Sequence, residues 1–145
     1  MKALAFILFC LFIAVSEGKK FDKCELAKLL KHNEMDGYFG YSLDLYMCMI
    51  YHESGYDTKA VKRPNQDGTV NYGLFQINSR LWCSDGKNKS ANNCKSSCNA
   101  FINDDIRDDI KCLKKVIRRK MSPWSPWRKK CRPNNVTGWT RDCKL

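Results

Sequence analysis

The chain has 145 residues and a formal net charge of +11. This length suits one compact domain with a modest core. The charge favours anionic partners such as bacterial walls, acidic glycans, anionic membranes or nucleic acid, or else indicates a merely soluble basic surface. The longest apolar run, residues 3–15, is too short to span a bilayer as a stable helix, which argues against a transmembrane protein.

The amino terminus predicts a secretory route. A basic residue precedes the apolar run, and small residues follow it at the positions that signal cleavage requires. We therefore predict a signal peptide over residues 1–18 and a secreted, extracellular chain with a single domain over residues 19–145. On that route Asn88 and Asn135, each in an Asn-x-Ser/Thr sequon, are candidate N-glycosylation sites.

Eight cysteines remain after the predicted cleavage, because Cys10 lies in the signal peptide. The eight are Cys24, Cys48, Cys83, Cys94, Cys98, Cys112, Cys131 and Cys143. An even number in an oxidising compartment predicts four disulfides, although 105 pairings are possible. A metal cluster is the alternative, but the Cys94-x3-Cys98 spacing has no matching second pair and both histidines lie far away in the sequence.

Two helices are predicted in the first third of the mature chain. Asp22 begins a capping-box pattern, and the leucines that follow recur at helical spacing until Gly37. Ser42 can cap a second helix, which the helix breaker Gly55 ends. This second helix places an acid, Glu53, at its carboxyl end.

The middle of the chain predicts a small sheet between helices. Residues 64–82 contain strand formers and the hairpin signal Asp67-Gly68. Residues 84–97 are polar and loop-like, and apolar residues at helical spacing return over residues 104–117. The predicted fold class is therefore α+β, a mainly helical domain with a small antiparallel sheet.

Several segments resemble one protein family. They are KCELA at residues 23–27, GYSL at 40–43, HESGY at 52–56, YGLFQINSR at 72–80, WC at 82–83 and WSPW at 124–127. Together with the eight cysteines they resemble the C-type lysozymes and their relatives, the α-lactalbumins. The resemblance implies a lysozyme-like fold with a glycan-binding cleft between the helical part and the sheet. It also implies the disulfides Cys24–Cys143, Cys48–Cys131, Cys83–Cys98 and Cys94–Cys112.

Glu53 matches the family's general acid. An acid that protonates a glycosidic oxygen near neutral pH needs a raised pKa, which burial against an aromatic wall provides in lysozyme, the type case of this effect. Trp124 matches the tryptophan of that wall. Taken outside the motif, a glutamate near a helix end is usually a solvated surface residue.

Asn71 occupies the place of the family's second catalytic carboxylate. Retaining hydrolysis, for which lysozyme is again the type case, needs an anion there to attack or stabilise the sugar cation, and a neutral amide does neither well. Glu53 acting alone with water is one alternative. Asp67, the nearest acid in sequence, lies in the predicted turn and is not expected to substitute. We expect weak muramidase activity or none, with a partly intact sugar site.

Three further residues match polar and stacking groups that hold N-acetyl sugars in the family. They are Gln76, Asn78 and Trp82, and each taken singly would be an ordinary sheet or core residue. Leu81 replaces an aromatic residue found in many members, and the loop before Trp124 is about two residues short. Both differences are expected to alter the outer sugar subsites.

The segment NAFINDDIRDDIKC, residues 99–112, concentrates aspartates in an otherwise basic chain. It resembles the loop of α-lactalbumin and of calcium-binding lysozymes. The implied calcium ligands are the backbone carbonyls of Ala100 and Asp105 and the side chains of Asn103, Asp108 and Asp109. Asn103 lacks the charge of a carboxylate, which should weaken affinity. The alternative is that these acids only complement the positive end of a helix.

Four functions remain open from the sequence. They are a weak lysozyme-type glycosidase, a non-catalytic glycan-binding protein, a regulatory partner of the α-lactalbumin kind, and disruption of anionic bacterial surfaces by the basic clusters at residues 118–120 and 128–130. The expected partners are peptidoglycan or chitooligosaccharides and the anionic bacterial surface. Nucleic acid is not expected as a partner, no cofactor is required for the chemistry, and a monomer is expected.

Overall fold

A computed structural model describes residues 19–62, 65–120, 129–131 and 136–145. Four sequence predictions lie outside these ranges: the signal peptide, the wall residue Trp124, the sequon at Asn135 and residue 128 of the second basic cluster. The described residues form three α-helices and a three-stranded antiparallel sheet, which confirms the predicted α+β class. No helix among them is long and apolar enough to cross a bilayer.

Helix α1 spans Lys23–His32 and begins at the predicted cap. The Asp22 carboxylate accepts hydrogen bonds from the backbone N–H groups of Cys24 and Glu25. The helix stops well before Gly37, where the sequence pattern placed its end, so that prediction was wrong. The Asn33 cap explains the stop, because its backbone and side-chain nitrogens both donate to Leu29 O and satisfy the last turn.

Helix α2 spans Leu43–Ser54 and forms the centre of the core. The Ser42 hydroxyl accepts a hydrogen bond from Leu45 N at 3.2 Å, and Gly55 ends the helix with a φ of 61°. Seven of the first eight residues of the helix are buried, and Asp44 is half-buried. The last turn emerges from this core and carries Glu53, so the acid is anchored on the most buried of the three described helices.

The sheet contains β1 (Val61–Lys62), β2 (Asn71–Tyr72) and β3 (Ile77–Asn78), in that spatial order. The strands are shorter than the pattern predicted. Phe75, one of the strand formers within residues 64–82, is instead fully buried in the turn between β2 and β3. Its side chain joins the hydrophobic core, so a core contact decided its position and strand pairing did not.

Helix α3 spans Arg107–Lys120 and follows a short 3-10 helix at Cys98–Phe101. The sheet packs against this region through Gly73, whose φ is 76° and where a Cβ atom would lie 1.8 Å from Phe101 O. The disulfides are Cys24–Cys143, Cys48–Cys131, Cys83–Cys98 and Cys94–Cys112. These are the four pairs that the resemblance implied, and they fix the loop over residues 84–97 to the helical part.

Candidate active site

Glu53 lies half-buried in the last turn of α2. Burial raises the pKa of its carboxyl to about 7, and the nearby Lys62 ammonium acts in the opposite direction and lowers it. A carboxyl with this pKa holds a proton over much of the near-neutral range. It can therefore donate that proton to a leaving oxygen, which is the work of a general acid.

Asn71 lies in β2, where two amide groups hold its side-chain oxygen. Asn71 Oδ1 accepts a hydrogen bond from Asn78 Nδ2 at 2.8 Å and another from Asn65 Nδ2 at 3.5 Å. We call these two donors the amide cradle. The cradle would equally suit a carboxylate, yet the residue it holds is neutral. Asn71 thus offers a sugar no negative charge.

A second layer of hydrogen bonds supports the amide cradle. The Thr69 hydroxyl accepts from Asn65 Nδ2 at 2.9 Å and from Asn78 Nδ2 at 3.0 Å, and it donates to Asp67 Oδ1 at 2.6 Å. Asp67 also accepts from Thr69 N and from Arg80, and the hydrogen bonds from Thr69 lower its pKa. Asp67 therefore braces the turn before β2, and the expectation that it does not replace the missing carboxylate stays a prediction.

The predicted sugar contact Gln76 is buried in the turn before β3. It is 4% exposed and has a φ of 51°. Its Nε2 donates to Ala60 O at 3.0 Å and to Gly73 O at 2.9 Å, whereas its Oε1 is buried and has no hydrogen-bond partner among the described atoms. The amide nitrogen of Gln76 thus ties the sheet together, and its buried oxygen does not face a ligand.

The other predicted sugar contacts lie nearer the surface. Asn78 is half-buried and divides its amide nitrogen between Asn71 and Thr69. Trp82 is half-buried and packs against the hydrophobic core, and its neighbour Leu81 is 48% exposed. An exposed aliphatic side chain at position 81 offers a sugar no flat aromatic face.

Lys62 is a site residue that the sequence reasoning missed. It lies in β1 directly opposite Asn71 of β2, and it is exposed. Its charge acts on Glu53, so it lies near both halves of the candidate site. In the sequence, Lys62 precedes the predicted hairpin, which placed it on the strand that could pair with Asn71. Its pairing with Asn71 could not be predicted without the register of that hairpin.

The predicted calcium loop brings a buried carboxylate next to another acid. Asp109 is fully buried, and neither of its carboxylate oxygens has a hydrogen-bond partner among the described atoms. Burial and the neighbouring Asp108 raise its pKa to about 9. Two unpartnered carboxylate oxygens inside a protein are costly without a cation or a proton. These donors therefore fit a hard cation such as calcium.

The remaining predicted calcium ligands lie along the same segment. Ala100 is in the 3-10 helix, and Asn103 Oδ1 accepts a hydrogen bond from Asp105 N at 3.1 Å. The Asp105 carboxylate pairs with Arg107 at 2.9 and 2.7 Å, and these hydrogen bonds lower its pKa to about 2. The backbone carbonyl of Asp105 stays a predicted calcium ligand.

The sequon at Asn88 lies on an exposed loop. The Asn88 side-chain nitrogen, to which a glycan would be attached, donates to Asp85 Oδ2 at 2.9 Å. Glycosylation at Asn88 stays a prediction.

Solved lysozyme structures share this fold. The crystal structure of the lysozyme from Equus asinus is 44% identical and matches with a TM-score of 0.83. Recombinant canine milk lysozyme in its apo-type crystal structure is 42% identical and matches with a TM-score of 0.84. Each match covers 88% of this chain and 100% of the lysozyme. The fold is therefore that of the lysozymes.

Sequence comparison defines the family. The profile of the C-type lysozyme/alpha-lactalbumin family matches residues 19–143. Lysozyme C-1 of Anas platyrhynchos is 40% identical over 148 residues, which cover 100% of both chains. The intestinal isozyme of lysozyme C from Bos taurus is 42% identical over 147 residues, again with 100% of both chains covered. The chain belongs to the C-type lysozyme/α-lactalbumin family.

Proposed function

We propose that this chain is a secreted, monomeric glycan-binding protein. It binds β-1,4-linked N-acetylmuramic acid and N-acetylglucosamine polymers of bacterial peptidoglycan, hydrolyses them weakly at most, and acts against bacteria. The single observation that carries this proposal is the state of the two catalytic positions. A half-buried Glu53 with a pKa of about 7 stands in a site whose second position is a neutral amide held in its cradle.

The two positions differ in what they can still do. Glu53 can protonate the leaving oxygen, and the amide cradle fixes the position of the Asn71 side chain on the sheet. Hydrolysis also needs an anion to attack or stabilise the sugar cation, and Asn71 carries no charge. Losing one preorganised electrostatic group lowers rates by about 10²–10³, whereas sugar binding does not depend on that charge. Binding is therefore retained and turnover is reduced.

A regulatory role of the α-lactalbumin kind is the alternative. Such a role would give Glu53 no chemical function, because a regulatory partner needs no proton donor. The raised pKa of Glu53 therefore favours a site with residual hydrolysis over this alternative.

The experiment compares the natural chain with Glu53→Gln and with Glu34→Gln. Glu34 is exposed and lies just beyond α1, so its substitution is a control for the loss of one charge. Peptidoglycan turnover and chitotriose affinity are measured for all three proteins. We expect all three to bind chitotriose, and any slow turnover to be lost only in Glu53→Gln. Failure of the natural chain to bind chitotriose would refute the proposal.

We also propose that the loop before and at the start of α3 holds a structural calcium ion. Side-chain oxygens of Asn103, Asp108 and Asp109 and backbone oxygens of Ala100 and Asp105 would be its ligands. The ion would offset the charge of the buried Asp109, whose oxygens have no hydrogen-bond partner among the described atoms. Calcium favours six to eight oxygen ligands, so water would complete the set.

Calorimetry on chelator-stripped protein tests the calcium proposal. We expect heat of binding for the natural chain and none for Asp109→Asn. Since the natural Asp109 carboxyl has a pKa of about 9, binding at neutral pH should also release a proton. The released proton makes the heat depend on the ionisation enthalpy of the buffer. No heat at millimolar calcium would end the idea.

A further inference from the structure

A row of three side chains crosses the sheet beside Glu53. The register pairs Lys62 with Asn71 and Asn71 with Asn78. Residues directly opposite one another in antiparallel strands place their side chains on the same face, with Cβ atoms about 5 Å apart. We call this set, Lys62, Asn71 and Asn78, the cross-strand row. One face of the sheet therefore carries an ammonium group next to two amides.

In the cross-strand row, the side-chain oxygen of Asn71 acts as a hydrogen-bond acceptor. Asn78 donates to Asn71 Oδ1 from one side, and Asn65 donates to the same oxygen. These donors occupy its oxygen, so the groups that Asn71 has left to offer a ligand are its amide N–H groups. A carboxylate at position 71 would have offered only acceptors. The amide has thus changed this position from a hydrogen-bond acceptor into a donor.

The charge of the cross-strand row is positive. Lys62 is exposed, so a ligand on the sheet can reach its ammonium group. Its neighbour across the strand, Asn71, is neutral and cannot form an ion pair with it. The positive charge of Lys62 also lowers the pKa of Glu53, so it acts within the candidate site. A cation beside N–H donors is the arrangement that recognises a carboxylate.

We propose that Lys62 and Asn71 form a recognition site for a carboxylate carried by an acidic amino-sugar glycan. Lys62 supplies the charge and Asn71 an N–H donor, so the site selects acidic glycans over neutral chitooligosaccharides. The carboxylate can come from the lactyl ether of muramic acid or from a uronic acid. This inference rests on the proposed glycan-binding function and names the chemical group that the same site prefers.

The test measures the affinity of the full chain for four tetrasaccharides. They are neutral chitotetraose, a peptide-free tetrasaccharide of alternating N-acetylglucosamine and N-acetylmuramic acid, the same molecule with its lactyl carboxylates amidated, and a hyaluronan tetrasaccharide. The protein variants are Lys62→Gln and the control Lys28→Gln, which removes an equal charge from an exposed position on α1.

We expect at least one acidic tetrasaccharide to bind more tightly than chitotetraose. Lys62→Gln should weaken acidic binding about 5- to 20-fold, the range for losing one charge-assisted contact at a partly exposed site. It should change chitotetraose affinity less than about twofold, and Lys28→Gln should leave the preference intact. The preference should also fall with added salt. The acidic tetrasaccharide that shows the Lys62-dependent preference identifies the source of the carboxylate.

Two results would overturn the inference. One is equal affinity for acidic and neutral tetrasaccharides, and the other is an acidic preference that survives Lys62→Gln. Both leave the proposed function standing if chitotetraose binds. If none of the four tetrasaccharides binds, the proposed function itself fails. The outcomes for the inference and for the proposed function are therefore distinguishable.

Discussion

Replacing Asn71 by aspartate should convert this binding site into a working hydrolase. The amide oxygen that Asn71 presents to Asn78 and Asn65 is isosteric with a carboxylate oxygen, so Asn71→Asp keeps both hydrogen bonds. Hydrogen bonds to a carboxylate favour its charged form, and Lys62 opposite does the same. The new carboxylate should therefore be ionised in the pH range where Glu53 still holds its proton.

The magnitude follows from what the new charge does in the transition state. A single preorganised electrostatic group contributes about 10²–10³ in rate, or about 3–4 kcal/mol of activation free energy. The ground state should change little, because the aspartate occupies the same volume in the same cradle. We therefore expect kcat on peptidoglycan to rise about 10²–10³-fold, while chitotriose affinity changes less than about threefold.

The assay is peptidoglycan turnover by the natural chain, Asn71→Asp, Asn71→Asp/Glu53→Gln and Asn65→Asp. The last variant is a control, because it adds the same charge to the amide cradle but not at the catalytic position. Circular dichroism and thermal unfolding establish that each variant is folded. A folded Asn71→Asp protein that binds chitotriose and turns over no faster than the natural chain would refute the reasoning. An equal gain in Asn65→Asp would show that added negative charge alone is sufficient.

Three more predictions concern pH, packing and calcium. Hydrolysis by the Asn71→Asp variant should fall as pH rises through about 7, because Glu53 loses its proton there. Adding Lys62→Gln should move this limb of the pH–rate profile to higher pH, since the ammonium group lowers the pKa of Glu53. Gly73→Ala should reduce the free energy of unfolding in urea by more than about 3 kcal/mol, because the new Cβ would lie 1.8 Å from a backbone oxygen at a φ of 76°. Gly86→Ala, with a φ of 74° and open space around it, should cost only about 1 kcal/mol. The pKa of Asp109 is higher in the folded protein, so folding favours the protonated carboxyl. The contribution of this carboxyl to the free energy of unfolding is therefore fully present below about pH 4 and is lost as pH rises toward 9. Asp109→Asn should therefore raise the Tm of the calcium-free protein at pH 8 and abolish any further rise on adding calcium, as measured by thermal unfolding.

Local signals in the sequence predicted the helices because each signal acts within one turn of chain. The carboxylate of Asp22 and the hydroxyl of Ser42 cap the helices that they were expected to cap. Gly55 ends α2, and this fixes Glu53 in its last turn. A cap or a breaker needs no knowledge of distant residues. These predictions were therefore confirmed, whereas the end of α1 depended on the hydrogen bonds of Asn33 and was missed.

The register of the sheet could not be predicted in the same way. A two-residue turn at positions 67–68 would have paired Asn71 with residue 64. Instead the turn is closed by a hydrogen bond from Asn65 N to Thr69 O, and Asn71 pairs with Lys62. The side chain of Asp67 selects this wider turn by accepting two hydrogen bonds from Thr69. Because a side-chain cap within the loop decides the register, the position of Lys62 could not be read from the hydrophobic pattern.

The direction in which an amide side chain points could not be predicted from the sequence either. Gln76 and Asn78 were both matched to sugar-holding groups, yet Gln76 turns inward to two backbone carbonyls and Asn78 supports Asn71. The left-handed backbone at Gln76, with a φ of 51°, is what turns the side chain into the core. A sequence states that an amide is present, but only the backbone conformation decides which groups it meets.

The amide at position 71 and the lysine at position 62 together favour a function that neither residue would indicate alone. Beside a carboxylate, Lys62 would form a cross-strand ion pair, which would occupy the ammonium group. Beside an amide, the same ammonium group has no such partner and remains available to an anionic ligand. Conversely, Asn71 beside a neutral residue would merely lack a charge, whereas next to Lys62 its N–H groups add to a positive site. The two residues together therefore favour binding of an acidic glycan over cleavage of a neutral one.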